Sequence, residues 1–138
     1  MKKMVHSGFW RFMFVVAGSG ALIESSKNLG NVQYVPNEIE ISDYKASHTD
    51  KVANSMKWFK SYLESVKKID ENLDQIKVPT KIFWGEHEAI LHTKNAENLH
   101  SRLPNSELEI FDNCGHFVYQ DDYSRFTKLI RSWVEKHK

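Results

Sequence analysis

The sequence predicts an α/β protein in two parts, a helical segment over residues 1–70 followed by a parallel strand–helix–strand–helix unit over residues 71–138. Three observations carry this. Ahead of residue 70 the clearest apolar pattern has helical spacing. After Pro79 the apolar residues fall instead into short runs bounded by proline and glycine. Those runs alternate with segments of helical period, and such alternation implies a parallel strand pair joined by a right-handed crossover.

Near the N-terminus, Phe9, Trp10, Phe12, Met13 and Phe14 crowd too densely for an amphipathic surface helix, so most of these rings are expected to be buried. Gly18, Ser19 and Gly20 break that element. Lys2 and Lys3 precede the apolar run from Phe9 to Ile23 in the order of a secretory signal peptide. Arg11 interrupts the run, Glu24 closes it, and it is too short to span a bilayer. A cytoplasmic protein is expected, with a cleaved signal peptide as the alternative. Residues 28–42 contain the turn formers Gly30, Pro36 and several asparagines, and Ser42 or Asp43 is placed to cap a short helix through Tyr44. From Val52, the residues Met56, Phe59, Leu63 and Val66 stack on one side of a helix, which Trp58 and Tyr62 widen. Asp50 suits its start, and Lys67 and Lys68 suit the negative end of its dipole.

The polar stretch from Asp70 to Lys77 marks the boundary between the two parts. Lys81 to Trp84, preceded by Pro79 and stopped by Gly85, reads as a strand ending in a loop. Thr93 or Asn95 can cap a helix whose inner face carries Ala96, Leu99 and Leu103, ending before the Pro104-Asn105 turn. A second strand, Glu107 to Phe111, alternates Leu108 and Ile110 with glutamates. The loop Asp112 to His116 follows, then a last helix from about Asp122 with Phe126, Leu129, Ile130, Trp133 and Val134 in register.

Composition narrows the function. Apolar residues make up 41% and charged residues 27%, as in a folded globular chain. Cations and anions number 19 and 18, so no field is expected that would concentrate nucleic acid or an anionic membrane. The expected partner is a small apolar substrate or another polypeptide. Cys114 is the only cysteine, which excludes an internal disulfide and multi-thiolate zinc sites. His87 and His92 are five residues apart rather than four, off a shared helical face, so a metal site is not expected. No cofactor is expected either. At 138 residues the chain is shorter than a complete doubly wound domain, and part of such a fold is expected to lie outside it.

In parallel α/β sheets the ligand sits beyond the carboxyl ends of the strands. Two loops qualify: residues 85–91, which carry Glu86 and Glu88, and residues 113–117, which carry His116. Side by side, a carboxylate on the first can accept the ring N–H of His116 and fix its tautomer for work as a base. Glu88 in a solvated polar loop, and His116 merely packed on Phe117, are the plainer alternatives.

Four segments in order, Ile76-Lys77-Val78-Pro79-Thr80, Ile82-Phe83-Trp84-Gly85-Glu86, Leu103-Pro104-Asn105-Ser106-Glu107-Leu108 and Cys114-Gly115-His116-Phe117, resemble the closing section of the α/β-hydrolases. The resemblance implies a truncated α/β-hydrolase fold, with His116 as general base and Glu88 as its acid, Glu86 being the reserve. More loosely, Phe9 to Phe14 and Trp58-Phe59-Lys60 resemble the helical cap of the epoxide hydrolase and dehalogenase branch. That implies Trp10, Phe12, Phe59 and Phe117 as substrate-binding residues. Phe59 departs from the proton-donating tyrosine of that cap, and Arg11 with Phe12 departs from its His-Trp pair. Neither a strained aspartate elbow nor a G-x-S-x-G turn is recognisable, since Gly18-Ser19-Gly20 has the wrong spacing. The expectation is a hydrolase part whose nucleophile is supplied elsewhere, inactive alone, and prone to self-association or complementation by the missing half. The alternative is a non-catalytic binding protein built from half the fold.

Overall fold

The computed structural model describes residues 30–48, 62 and 64–138. The chain divides into two compact units, Met1–Ser26 with Pro36–Glu71 and Lys27–Val35 with Asn72–Lys138.

In the first unit, helix α1 spans Glu38–His48. It begins ahead of the expected cap at Ser42 or Asp43, because Asn37 and Glu40 build a cap between them. The Asn37 side-chain oxygen accepts the N–H groups of Ile39 and Glu40 at 2.9 and 3.0 Å, and the Glu40 carboxylate accepts the Asn37 N–H at 2.8 Å. This reciprocal pairing satisfies donors that a helix start leaves unpaired. Residues 64–70 are also helical. Asp50, Val52, Met56, Trp58, Phe59 and Leu63 of the helix expected there lie outside the described residues, as does the aromatic cluster from Phe9 to Phe14.

The second unit carries the expected alternation. Strand β1 is Thr80–Gly85, helix α2 is Lys94–Arg102 and strand β2 is Ser106–Phe111. Helices α3, Val118–Asp121, and α4, Tyr123–Lys136, follow. Among the described residues β1 and β2 form a two-stranded parallel sheet, in register from Thr80 against Ser106 to Gly85 against Phe111.

The pleat distributes the apolar residues to two layers. On one face Ile82, Trp84 and Leu108 pack with Ala96 and Leu99 of α2, with Leu103 at its C-cap, and with Leu73 and Ile76 ahead of β1. On the other, Phe83 and Phe111 pack with Cys114, Val118 and the α4 residues Phe126 and Leu129. Helices thus cover both faces, the arrangement that buries a parallel sheet. Ile130 and Val134 remain 37% and 44% exposed, since they lie about 40° and 80° round α4 from Phe126.

Two caps differ in detail. Asp122 caps α4 by accepting the Arg125 N–H at 3.0 Å. Thr93 precedes α2 with φ −54° and ψ −30°, already helical, so its hydroxyl makes no cap bond. The ring Nδ1 of His92 accepts the Lys94 N–H instead, at 3.1 Å. The glutamates of β2 meet cations along the α4 face. Lys136 lies 2.6 Å and Lys81 3.2 Å from Glu107, and Arg125 lies 2.7 Å from Glu109. Hydrogen bonds from Lys136 and then Lys81 hold the Glu107 carboxyl below its ordinary pKa.

Candidate active site

Because the strands are parallel, the loops after Gly85 and Phe111 leave from the same end of the sheet. The ladder continues into them: Glu86 N–H donates to the Phe111 carbonyl and His87 N–H to the Cys114 carbonyl, each at 2.9 Å. A side chain at Gly85 would forbid this approach, since a Cβ there would lie 2.1 Å from the Gly115 carbonyl oxygen. The second loop turns at Asn113, whose φ of 56° is in the left-handed region that asparagine tolerates.

These loops bring Glu88 and His116 together. The Glu88 side chain is 4% exposed and that of His116 31%. Glu88 Oε1 accepts the backbone N–H groups of Ile90 and Leu91, at 2.6 and 3.1 Å, while Oε2 meets Nδ1 of His116. An ionised carboxylate only accepts, so Nδ1 carries the proton of this contact, and in the neutral ring Nε2 then keeps its lone pair. The two amides fix the carboxylate, the carboxylate fixes the ring, and the ring is left with a basic nitrogen. The Phe117 ring packs edge-on to the imidazole, with centroids 4.9 Å apart.

Glu86 is elsewhere. Its carboxylate accepts the Asn113 N–H at 3.3 Å and lies 3.6 Å from Nε2 of His87. Trp10, Phe12 and Phe59 lie outside the described residues. Cys114 is fully buried, and burial, followed by the nearby Asp121 charge, pushes its thiol pKa up. It packs as a small hydrophobe rather than as a nucleophile. Among the described residues no group of three or more His, Cys, Asp or Glu side chains could hold a metal ion.

Sequence reasoning missed Asp121. Its carboxylate accepts the backbone N–H of Gly115 at 2.7 Å and those of Val32, Gln33 and Tyr34 at 3.0, 2.8 and 2.8 Å. Burial pushes this carboxyl up, but the four donors together outweigh burial and leave its pKa below the ordinary aspartate value. Asp121 stands five residues past the histidine, and no periodicity marks it, because its partners are main-chain groups far upstream.

The layered parallel sheet and the placing of its loops define an α/β-hydrolase fold. The solved esterase of Exiguobacterium antarcticum superposes with a TM-score of 0.68 over 88% of this chain and 44% of its own, at 17% identity. Residues 10–122 match the family model described as serine aminopeptidase, S33, and the chain belongs to that family. Among relatives, the mouse monoacylglycerol lipase ABHD6 is 40% identical over 62 residues, which are 45% of this chain and 18% of the lipase. A Mycobacterium tuberculosis protein described as uncharacterized is 34% identical over 58 residues, 42% of this chain and 17% of its own length. The chain therefore spans under a fifth of the length of these relatives. Among the described residues no helix is long and apolar enough to cross a membrane.

Proposed function

We propose that this chain supplies the base and the acid of a serine-hydrolase triad acting on carboxylic esters with an apolar acyl group, the nucleophile being supplied from outside these residues. His116 is the general base and Glu88 its orienting carboxylate. The observation that supports this is the fully occupied Glu88 carboxylate, with two amide donors on one oxygen and His116 Nδ1 on the other. Nε2 takes the proton as a nucleophile hydroxyl attacks the ester carbonyl, and returns it to the departing alkoxide. A water molecule then repeats the cycle on the acyl intermediate.

The likeness to a monoacylglycerol lipase and an esterase favours esters. The epoxide hydrolase and dehalogenase reading uses the same pair, with His116 activating water against an ester formed on an aspartate nucleophile. In either case Phe117 forms one wall of the substrate site, and Trp10, Phe12 and Phe59 belong to the same proposal. The sole cysteine fits a reducing, cytoplasmic setting.

The test uses p-nitrophenyl butyrate and styrene oxide, with the chain alone and with the chain mixed with the nucleophile-bearing N-terminal part of the mouse lipase. The chain alone is expected to turn over neither substrate above its His116→Ala variant. The mixture is expected to cleave the ester, and Glu88→Gln to lower that rate roughly 10⁴-fold by releasing the histidine tautomer. Turnover by the chain alone that disappears in His116→Ala would overturn the supplied nucleophile. A mixture that assembles without hydrolysing either substrate would make the chain a non-catalytic binding protein.

A further inference from the structure

Residues 30–34 lie across the His116 loop and the helix α3 that follows it, and each bonds to one or both. The Gly30 carbonyl accepts the Phe117 N–H at 2.9 Å, one residue past the histidine. Asn31 Nδ2 donates to the Gln120 side-chain oxygen at 3.0 Å, and Gln33 Nε2 donates to the Asn113 carbonyl at 3.1 Å. The N–H groups of Val32, Gln33 and Tyr34 converge on Asp121, which also holds the N–H of Gly115, one residue before the histidine. The packing tolerates no side chain on either glycine. A Cβ on Gly115 would lie 2.6 Å from the Gly30 carbonyl oxygen, and one on Gly30 would lie 2.3 Å from the Phe117 ring.

We infer that Asp121 is a positioning residue for His116. Its carboxylate clamps the strap of residues 30–34 onto the loop, and the clamp sets the alignment of the imidazole with Glu88. The inference rests on the reading of His116 as a base. His116 is tied on both sides, through Gly115 to Asp121 and through Phe117 to Gly30, so the ring sits between two fixed backbone points. An asparagine offers one acceptor oxygen where the carboxylate offers two, so Asp121→Asn loosens the loop while keeping its volume.

The test follows the far-downfield proton signal of His116 Nδ1–H by nitrogen-edited NMR of the full chain, assigned by its loss in Glu88→Gln. Asp121→Asn is expected to abolish that signal by exchange broadening, with Glu88 untouched. The double variant Asn31→Ala with Gln33→Ala, which leaves Asp121 and the glycines intact, is expected to broaden it while leaving the melting temperature near that of the parent. This second variant carries the test should Asp121→Asn fail to fold. A sharp, unshifted signal in a folded Asp121→Asn chain, or in the double variant, would overturn the clamp and leave the Glu88–His116 reading standing. A parent chain without a signal that Glu88→Gln removes would overturn both.

Discussion

Glu88 and Asp121 show two uses of a carboxylate in one short stretch of chain. Both accept backbone donors, but Glu88 takes them on one oxygen and keeps the other for an imidazole, whereas Asp121 spends its acceptors on main chain. Asp121 has a resolved acid sensitivity. Its folded pKa lies below the ordinary value of 3.8, so its contribution to stability is complete above that value and is lost as pH falls through the depressed folded one. Asp121→Asn is therefore expected to flatten the fall of unfolding free energy below pH 3.8, measured by urea titration at stepped pH. An unchanged acid slope would exclude the depressed carboxyl. A pairing of His116 with a carboxylate of the first loop was legible in the sequence, because strand-end loops concentrate chemistry and both loops were delimited by Gly85 and Phe111; the choice of Glu88 over Glu86 rested on the family resemblance. Asp121 was not, since main-chain donors leave no mark in residue type.

At the scale of elements, the approach of the two loops depends on the absence of a side chain at Gly85. Its missing Cβ would face the backbone of Cys114 and Gly115 and not the end of a yielding side chain. Gly85→Ala is expected to cost about 1–3 kcal/mol of stability, by the penalty for overpacking a fixed site. A melting temperature equal to that of the parent would show that the loops can part freely. The strands and the helices α2 and α4 were legible because the period changes after Pro79, and the observed strands extend the expected runs by a residue or two. The start of α1 was hidden by composition. Asn37 lies in a stretch of turn-forming residues, and only its spacing to Glu40 distinguishes a helix start from a loop. The cap of α2 was misassigned because backbone geometry at Thr93, which residue type does not reveal, sends the capping bond to His92.

At the scale of the molecule, the chain covers 44% of the esterase it superposes on, and its described sheet has two strands. A pair of strands is marginal as a free-standing sheet, and strand edges invite pairing with another chain. Sedimentation velocity is expected to show species heavier than the 16.2 kDa monomer. A single monomeric species with cooperative unfolding would remove the argument for assembly. The strap has a consequence for the order of folding. Glu88 and His116 are 28 residues apart and belong to one crossover, whereas Val32 and Asp121 are 89 apart. Closing the longer loop costs about 1 kcal/mol more in chain entropy, from (3/2)RT times the logarithm of the length ratio. The crossover carrying the histidine and its carboxylate can therefore close at lower entropic cost than the strap, and the final alignment of the pair waits for the upstream segment to fasten over it.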